Sequence, residues 1–143
     1  ICTMETYYQH NVLHGPCRTY NSHGVLESTF TYSHGKIDGL LTQYQPSGVK
    51  AFECWYVNGI QEELMRCYDM YGDINHECMY KNGQKHGRSV TYFPQNGGVC
   101  QVSHFKDGLP VDEEEMLLSY CILLLATRST LPPINGNNAF ASC

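Results

Sequence analysis

The stretch Tyr80-Lys81-Asn82-Gly83-Gln84-Lys85-His86-Gly87-Arg88-Ser89-Val90-Thr91-Tyr92 recurs in outline along the chain, and its spacing decides the fold. Asn82-Gly83 favours a tight turn, because Asn and Gly tolerate φ > 0. Stepping along the chain by 24 residues meets the same residue types again. Tyr20, Tyr44, Tyr68 and Tyr92 fall in one register, and Tyr8, Tyr32, Tyr56 and Tyr80 in a second. Gly24, Gly48 and Gly72 form a third, and Gly35, Gly59 and Gly83 a fourth. Gly15, Gly39 and Gly87 share a fifth, in which Glu63 takes the remaining slot. After Tyr92 the chain gains one residue near Asn96, and Gly97, Phe105 and Gly108 resume the pattern one step late.

Two short segments lie between successive glycines, so each unit reads as a β-hairpin. The units are a half unit at 1–14, then 15–38, 39–62, 63–86 and 87–111. Strands are expected at about 4–9, 16–21, 25–32, 40–45, 49–56, 64–69, 73–80, 88–93 and 99–105, of ordinary length. One hairpin is marginal in water. Stacking hairpins in register buries a face and lines up the tyrosines as cross-strand pairs, worth ~0.2–1 kcal/mol each. The expected fold is therefore mainly β: an elongated, single-layer antiparallel sheet of stacked 24-residue hairpins with a C-terminal capping α-helix.

Segments such as Tyr32-Ser33-His34-Gly35-Lys36-Ile37-Asp38-Gly39 and Tyr80 to Gly87, each followed by Tyr five residues on, resemble MORN repeats. They look most like the variant form found in bacterial proteins and large DNA viruses. The resemblance covers about residues 5–111. It implies the hairpin fold and says little about function. The departures are Glu63 and Asn11 for Gly, His104-Phe105 for Tyr and the extra residue near Asn96, as in worn repeat units.

The period stops after Gly108. Asp112 followed by Glu115 fits a capping box, and four acids suit the positive end of a helix dipole. A helix is expected over about 112–127, within a segment 112–128, followed by a tail at 129–143. About eleven apolar residues, Met116 to Ala126, are too few for a membrane span of ~20. A helix apolar on most sides must bury more than one face. It is expected to cover the open edge after the last hairpin and to present Met116, Leu117, Tyr120 and Leu124 to a protein partner or a second copy.

Composition narrows the function further. Eleven Tyr and 13 Gly suit strands and turns. A net charge of -5, with nine Lys+Arg scattered along the chain, argues against nucleic acid. It also disfavours anionic lipid, the association that the MORN resemblance implies. Lys81, Lys85 and Arg88 are the only local basic group. There are eight cysteines. No signal peptide and no C-x-x-C pair is visible, so reduced thiols in the cytoplasm, or in a viral particle assembled there, are expected. Cys54 and Cys78 occupy one slot in adjacent units, two strands or about 9.5 Å apart at ~4.8 Å per strand. A disulfide requires Cα atoms within ~7 Å. A metal site of Cys54 and Cys78 with His76 or His104 lacks zinc spacing, so buried thiols are the favoured reading. The other histidines, His10, His14, His23, His34 and His86, read as turn residues, and Glu62-Glu63 as a solvated turn rather than a carboxylate pair. No G-x-S-x-G, H-E-x-x-H, Walker or G-x-G-x-x-G motif occurs. The expectation is a non-enzymatic protein-interaction or structural scaffold module without cofactor or metal. A lipid-associated module and a small enzyme with its site in the sheet groove are the alternatives.

Overall fold

The computed structural model describes residues 3–94, 96–112, 114, 117–118 and 122. The chain divides into two compact units, 1–111 and 112–143. The first contains β1 (Met4–Glu5), β2 (Tyr8–Gln9), β3 (Val12–Leu13), β4 (Gly15–Tyr20), β5 (Leu26–Ser33), β6 (Lys36–Ile37) and β7 (Gly39–Tyr44). These are followed by β8 (Lys50–Val57), β9 (Ile60–Tyr68), β10 (Ile74–Lys81), β11 (Gln84–Tyr92), β12 (Val99–Lys106) and β13 (Leu109–Val111). The protein is mainly β. Ten strands form one open antiparallel sheet in the order β1-β4-β5-β7-β8-β9-β10-β11-β12-β13, with β6 beside β5 and with β2 and β3 paired separately.

Tight turns join the strands on one side. His34-Gly35, Asn58-Gly59, Asn82-Gly83 and Asp107-Gly108 all have positive φ at both residues, near 50° and then 76–84°. That is the turn whose twist matches the twist of the flanking strands. Each turn glycine also donates its amide backwards. Gly35 N–H reaches the Leu13 carbonyl at 2.8 Å, Gly59 that of Ile37 at 2.7 Å, Gly83 that of Gln61 at 2.9 Å and Gly108 that of Lys85 at 2.9 Å. The acceptors are 24 residues apart. Five-residue turns close the other side: Asn21, Gln45 and Asp69 donate their amides to the carbonyls of Val25, Val49 and Asp73.

The structure departs from the sequence expectations at particular points. The segment expected as one strand at 4–9 is split into β1 and β2. Strands expected to begin at 64 and 88 begin at Ile60 and Gln84, because the tight turn consumes only two residues. After β12 the next described element is β13, not the helix; it pairs His104, Phe105 and Lys106 with Val111, Pro110 and Leu109. Glu63 and Asn11, read as worn glycine slots, both keep the left-handed backbone, at φ 61° and 62°. The sign of φ is kept at both positions, though Glu63 falls short of the 93–109° of Gly15, Gly39 and Gly87. In the second unit Glu114, Leu117, Leu118 and Ile122 have helical backbone.

Side chains alternate between the two sheet faces. On one face Cys54, Met65 and Cys78 form the core, with Phe52, Tyr56, Cys67 and Tyr80 packed against them. Cys54 and Cys78 are fully buried. Both sit opposite Met65, so strand β9 runs between them. On the other face Thr42, Glu53 and Val90 are buried.

Candidate functional site

The face of Glu53 carries a row in cross-strand register: Thr42 opposite Glu53, Glu53 opposite Arg66, Arg66 opposite Glu77 and Glu77 opposite Val90. Arg66 bridges the two carboxylates, with Nε 2.8 Å from Glu77 Oε1 and an Nη 3.6 Å from Glu53 Oε1. Tyr68 donates its hydroxyl to Glu53 at 2.5 Å and Tyr92 to Glu77 at 2.7 Å. Tyr20 donates to Glu5 at 3.0 Å in the same way. Lys50 Nζ closes the group at 2.9 Å from Glu53 and lies 5.9 Å over the Tyr68 ring. Burial alone would raise the Glu53 carboxyl, but hydrogen bonds from Tyr68, Lys50 and Arg66 outweigh it and hold it below the usual range. Glu77 is lowered by its bonds from Arg66 and Tyr92. Burial, and then the bond to Glu53, push the Tyr68 phenol up to about 12. Each group here stabilises a neighbour in its charged or protonated form.

These residues escaped the sequence reading, although a signal existed. Glu5, Glu53 and Glu77 share one slot of the 24-residue register, with Thr29 in the remaining position, always 15 residues before a repeat tyrosine. A second missed slot lies at the tight turns. Asp38 and Glu62 accept the amides of Asn58 and Asn82 at 3.0 and 2.9 Å, and His14 and His86 stand in the same place beneath His34 and Asp107. Glu62 thus has a structural partner, and it is not paired with Glu63.

On the opposite face His76 bonds Thr91 Oγ1 through Nδ1 at 3.1 Å and lies 3.5 Å from Ser89 Oγ through Nε2. Burial, and then Lys85, hold its imidazole below the usual range. Ser89 is buried, and His76 is half-buried. Burial raises the Cys17, Cys54 and Cys67 thiols, which disfavours the nucleophilic thiolate. Among the described residues no group of three metal-ligating side chains converges.

The repeat tyrosines do not form one exposed aromatic row. Tyr20, Tyr68 and Tyr92 turn to carboxylates, Tyr56 and Tyr80 line the core, Tyr32 packs edge-on against Phe30 and Tyr8 is exposed. Exposed apolar side chains gather instead on the Glu53 face. Leu40 lies opposite Trp55, and Val57 opposite Ile60. Trp55, the single tryptophan, is 44% exposed. Of the side chains expected to meet a partner, Leu117 is helical and exposed. Met116, Tyr120 and Leu124 lie outside the described residues, as do the tail at 129–143 and Cys2, Cys121 and Cys143.

A cleft of about 740 Å³ opens between the turn 69–73 and the following turn, lined by Tyr68, Asp69, Asp73, Asn75, Tyr92 and Phe93 among others. It sits where the 24-residue register slips by one. One unit earlier, the Gln45 side chain bridges the equivalent space by donating Nε2–H to the Asp69 carbonyl at 2.8 Å. Asp69 cannot repeat this, because its carboxylate accepts the amides of Tyr71 and Asp73 within its own turn.

No family model matches the chain, and no curated protein matches it. Among solved structures it is similar to a point mutant of S. aureus TarM in complex with fondaparinux, α-GlcNAc-glycerol and UDP, with a TM-score of 0.50 at 10% identity. The match covers 86% of this chain and 24% of that one, so the chain spans about a quarter of TarM. At that identity the likeness is one of fold alone. No helix among the described residues is long and apolar enough to cross a membrane.

Proposed function

We propose that the chain is a stack of 24-residue β-hairpin units of the MORN type, acting as a non-catalytic protein-interaction or scaffold module. The observation that carries this reading is the use made of the polar side chains. Glu53, Arg66, Tyr68, Glu77 and Tyr92 complete one another's hydrogen bonds, and His76 is held by Thr91. The same pattern at Tyr20 and Glu5 marks it as belonging to the repeat and not to a unique site. Exposed on that side, beyond the paired charges, are the apolar Leu40, Trp55, Val57 and Ile60, with Glu62 opposite Trp55. Aromatic and aliphatic side chains with few charges compose the centres of protein interfaces.

The helix segment 112–128 adds a second docking element in this reading. Helical backbone at Glu114, Leu117, Leu118 and Ile122 supports it. Buried free thiols suit a reducing compartment, the cytoplasm or a viral particle assembled there.

The test is the Trp55→Ala variant beside the parent chain. Cross-linking mass spectrometry of the complex with a captured partner should place links on Leu40-, Trp55- and Ile60-bearing peptides, and Trp55→Ala should weaken capture. Broad hydrolase and transferase screens should stay at background. Turnover that survives repurification and falls with substitution of His76 would overturn the reading.

A further inference from the structure

Beside the turn 69–73 the side chain that bridges to the next turn one unit earlier is missing, and a cleft opens there. Its walls combine two chemistries. Tyr68, Tyr92 and Phe93 supply aromatic rings. The hydroxyls of both tyrosines are held by Glu53 and Glu77, which leaves the rings as the cleft's apolar surface. Phe93 is half exposed. Asp69 and Asp73 supply carboxylates, and Asn75 an amide. No Lys or Arg is among the described residues that line it. Lys50, the cation at Tyr68, is bound to Glu53. A cavity with aromatic faces and negative charge, and no cation of its own, complements an ammonium or guanidinium group.

We infer that this cleft binds a Lys or Arg side chain in a basic segment of the protein partner. The inference rests on the reading of the chain as a protein-binding module and adds the site and the chemistry of what enters it. Charge complementarity argues for a basic occupant: the chain carries -5 overall, and steering by opposite charge speeds such encounters. The cationic head would sit against Asp73 and the ring faces. Asn75 is placed to accept a hydrogen bond from the peptide or to donate one.

The full chain is titrated with a lysine-rich peptide, its arginine counterpart, its glutamate counterpart and free acetyl-lysine amide, following backbone amide resonances. The basic peptides should shift the amides of Asp73, Asn75 and Phe93 and leave those of Ser47 and Gly48 in the preceding turn unmoved. Asp73→Asn and Phe93→Ala, both at exposed positions, should each weaken binding about tenfold with the remaining spectrum unchanged. Added salt should weaken binding further. Absence of shifts with both basic peptides overturns the inference, as does binding that neither variant alters. Binding of acetyl-lysine amide as tight as that of the peptide would overturn the assignment to a peptide segment. Should the peptides fail while Trp55-dependent partner capture persists, the cleft inference falls and the module reading stands.

Discussion

Replacing Glu63 with glycine should stabilise the protein. Glu63 sits at φ 61° in a slot whose other members, Gly15, Gly39 and Gly87, take φ 109°, 106° and 93°. The strand wants a backbone angle that an L residue does not reach, and Glu63 settles at the nearest left-handed minimum. Left-handed backbone costs an L residue ~1–2 kcal/mol. Glycine returns part of that, ~0.5–1 kcal/mol, through the greater freedom of the unfolded chain. The Glu63 side chain is exposed and has no packing to lose, and the Glu62 bond to the Asn82 amide is untouched. The net gain is about 0.5–1 kcal/mol, which for a domain of this size raises Tm by about 2–4 °C. The complementary change is Gly39→Ala. A Cβ there meets nothing within 4 Å, so any loss reports conformation and not crowding. Thermal unfolding followed by circular dichroism measures both. A lowered Tm for Glu63→Gly, or an unchanged Tm for Gly39→Ala, would refute the reasoning that the slot is fixed by its backbone angle.

Other predictions follow from the polar face, the thiols and the second unit. Tyr68→Phe removes one hydrogen bond to a charged carboxylate and should cost at most ~1.5–3 kcal/mol, toward the low end because the pair is partly solvated. Glu53 and Glu77 have depressed folded values, so their contribution is present above the usual carboxylate value of 4.5 and is lost as pH falls through the depressed ones. Urea unfolding at pH 7 and pH 3 should show that loss, and Tyr68→Phe should reduce it. The Tyr68 phenol is raised, so its contribution is present below pH 10.0 and is lost as pH rises toward about 12, visible as a late phenolate absorbance step that Tyr68→Phe abolishes. Mass spectrometry of the alkylated, non-reduced protein should give no peptide linking Cys54 to Cys78; finding one would contradict the strand that lies between them. Deleting residues 112–143 should make the sheet unit aggregate and lose its partner, and a monomeric, binding-competent truncation would make the helix a passenger.

Most of the sheet was legible because its periodicity is carried by residues with strong backbone preferences. Asn58-Gly59 and Asn82-Gly83 announce two-residue turns, and Tyr56 and Tyr80 announce strands whatever surrounds them. Strand β13 was not legible: Leu109-Pro110-Val111 holds a proline, which interior strands exclude and edge strands accept, and only the pairing with His104 to Lys106 reveals it. The Glu53 network was half legible. Glu5, Glu53 and Glu77 recur at the repeat spacing, but Thr29 breaks the series, and Arg66 gains its meaning only from lying between two carboxylates across strands. The cleft was not legible at all. The sequence shows an extra residue near Asn96 as a blemish in the register; that it opens a space depends on Asp69 turning its carboxylate inward where Gln45 reaches across.

In the proposed stack successive units are equivalent, each locked to the one before by the same backbone bond. Amide hydrogen exchange read residue by residue tests this most directly. The amides of Gly35, Gly59, Gly83 and Gly108 should be protected, with Gly59 and Gly83 slowest, while those of Gly24, Gly48 and Gly72 in the longer turns should exchange faster, since their bonds stay within their own turns. Fast exchange at Gly59 and Gly83, equal to that of Gly48 and Gly72, would contradict the stacked arrangement and the function built upon it.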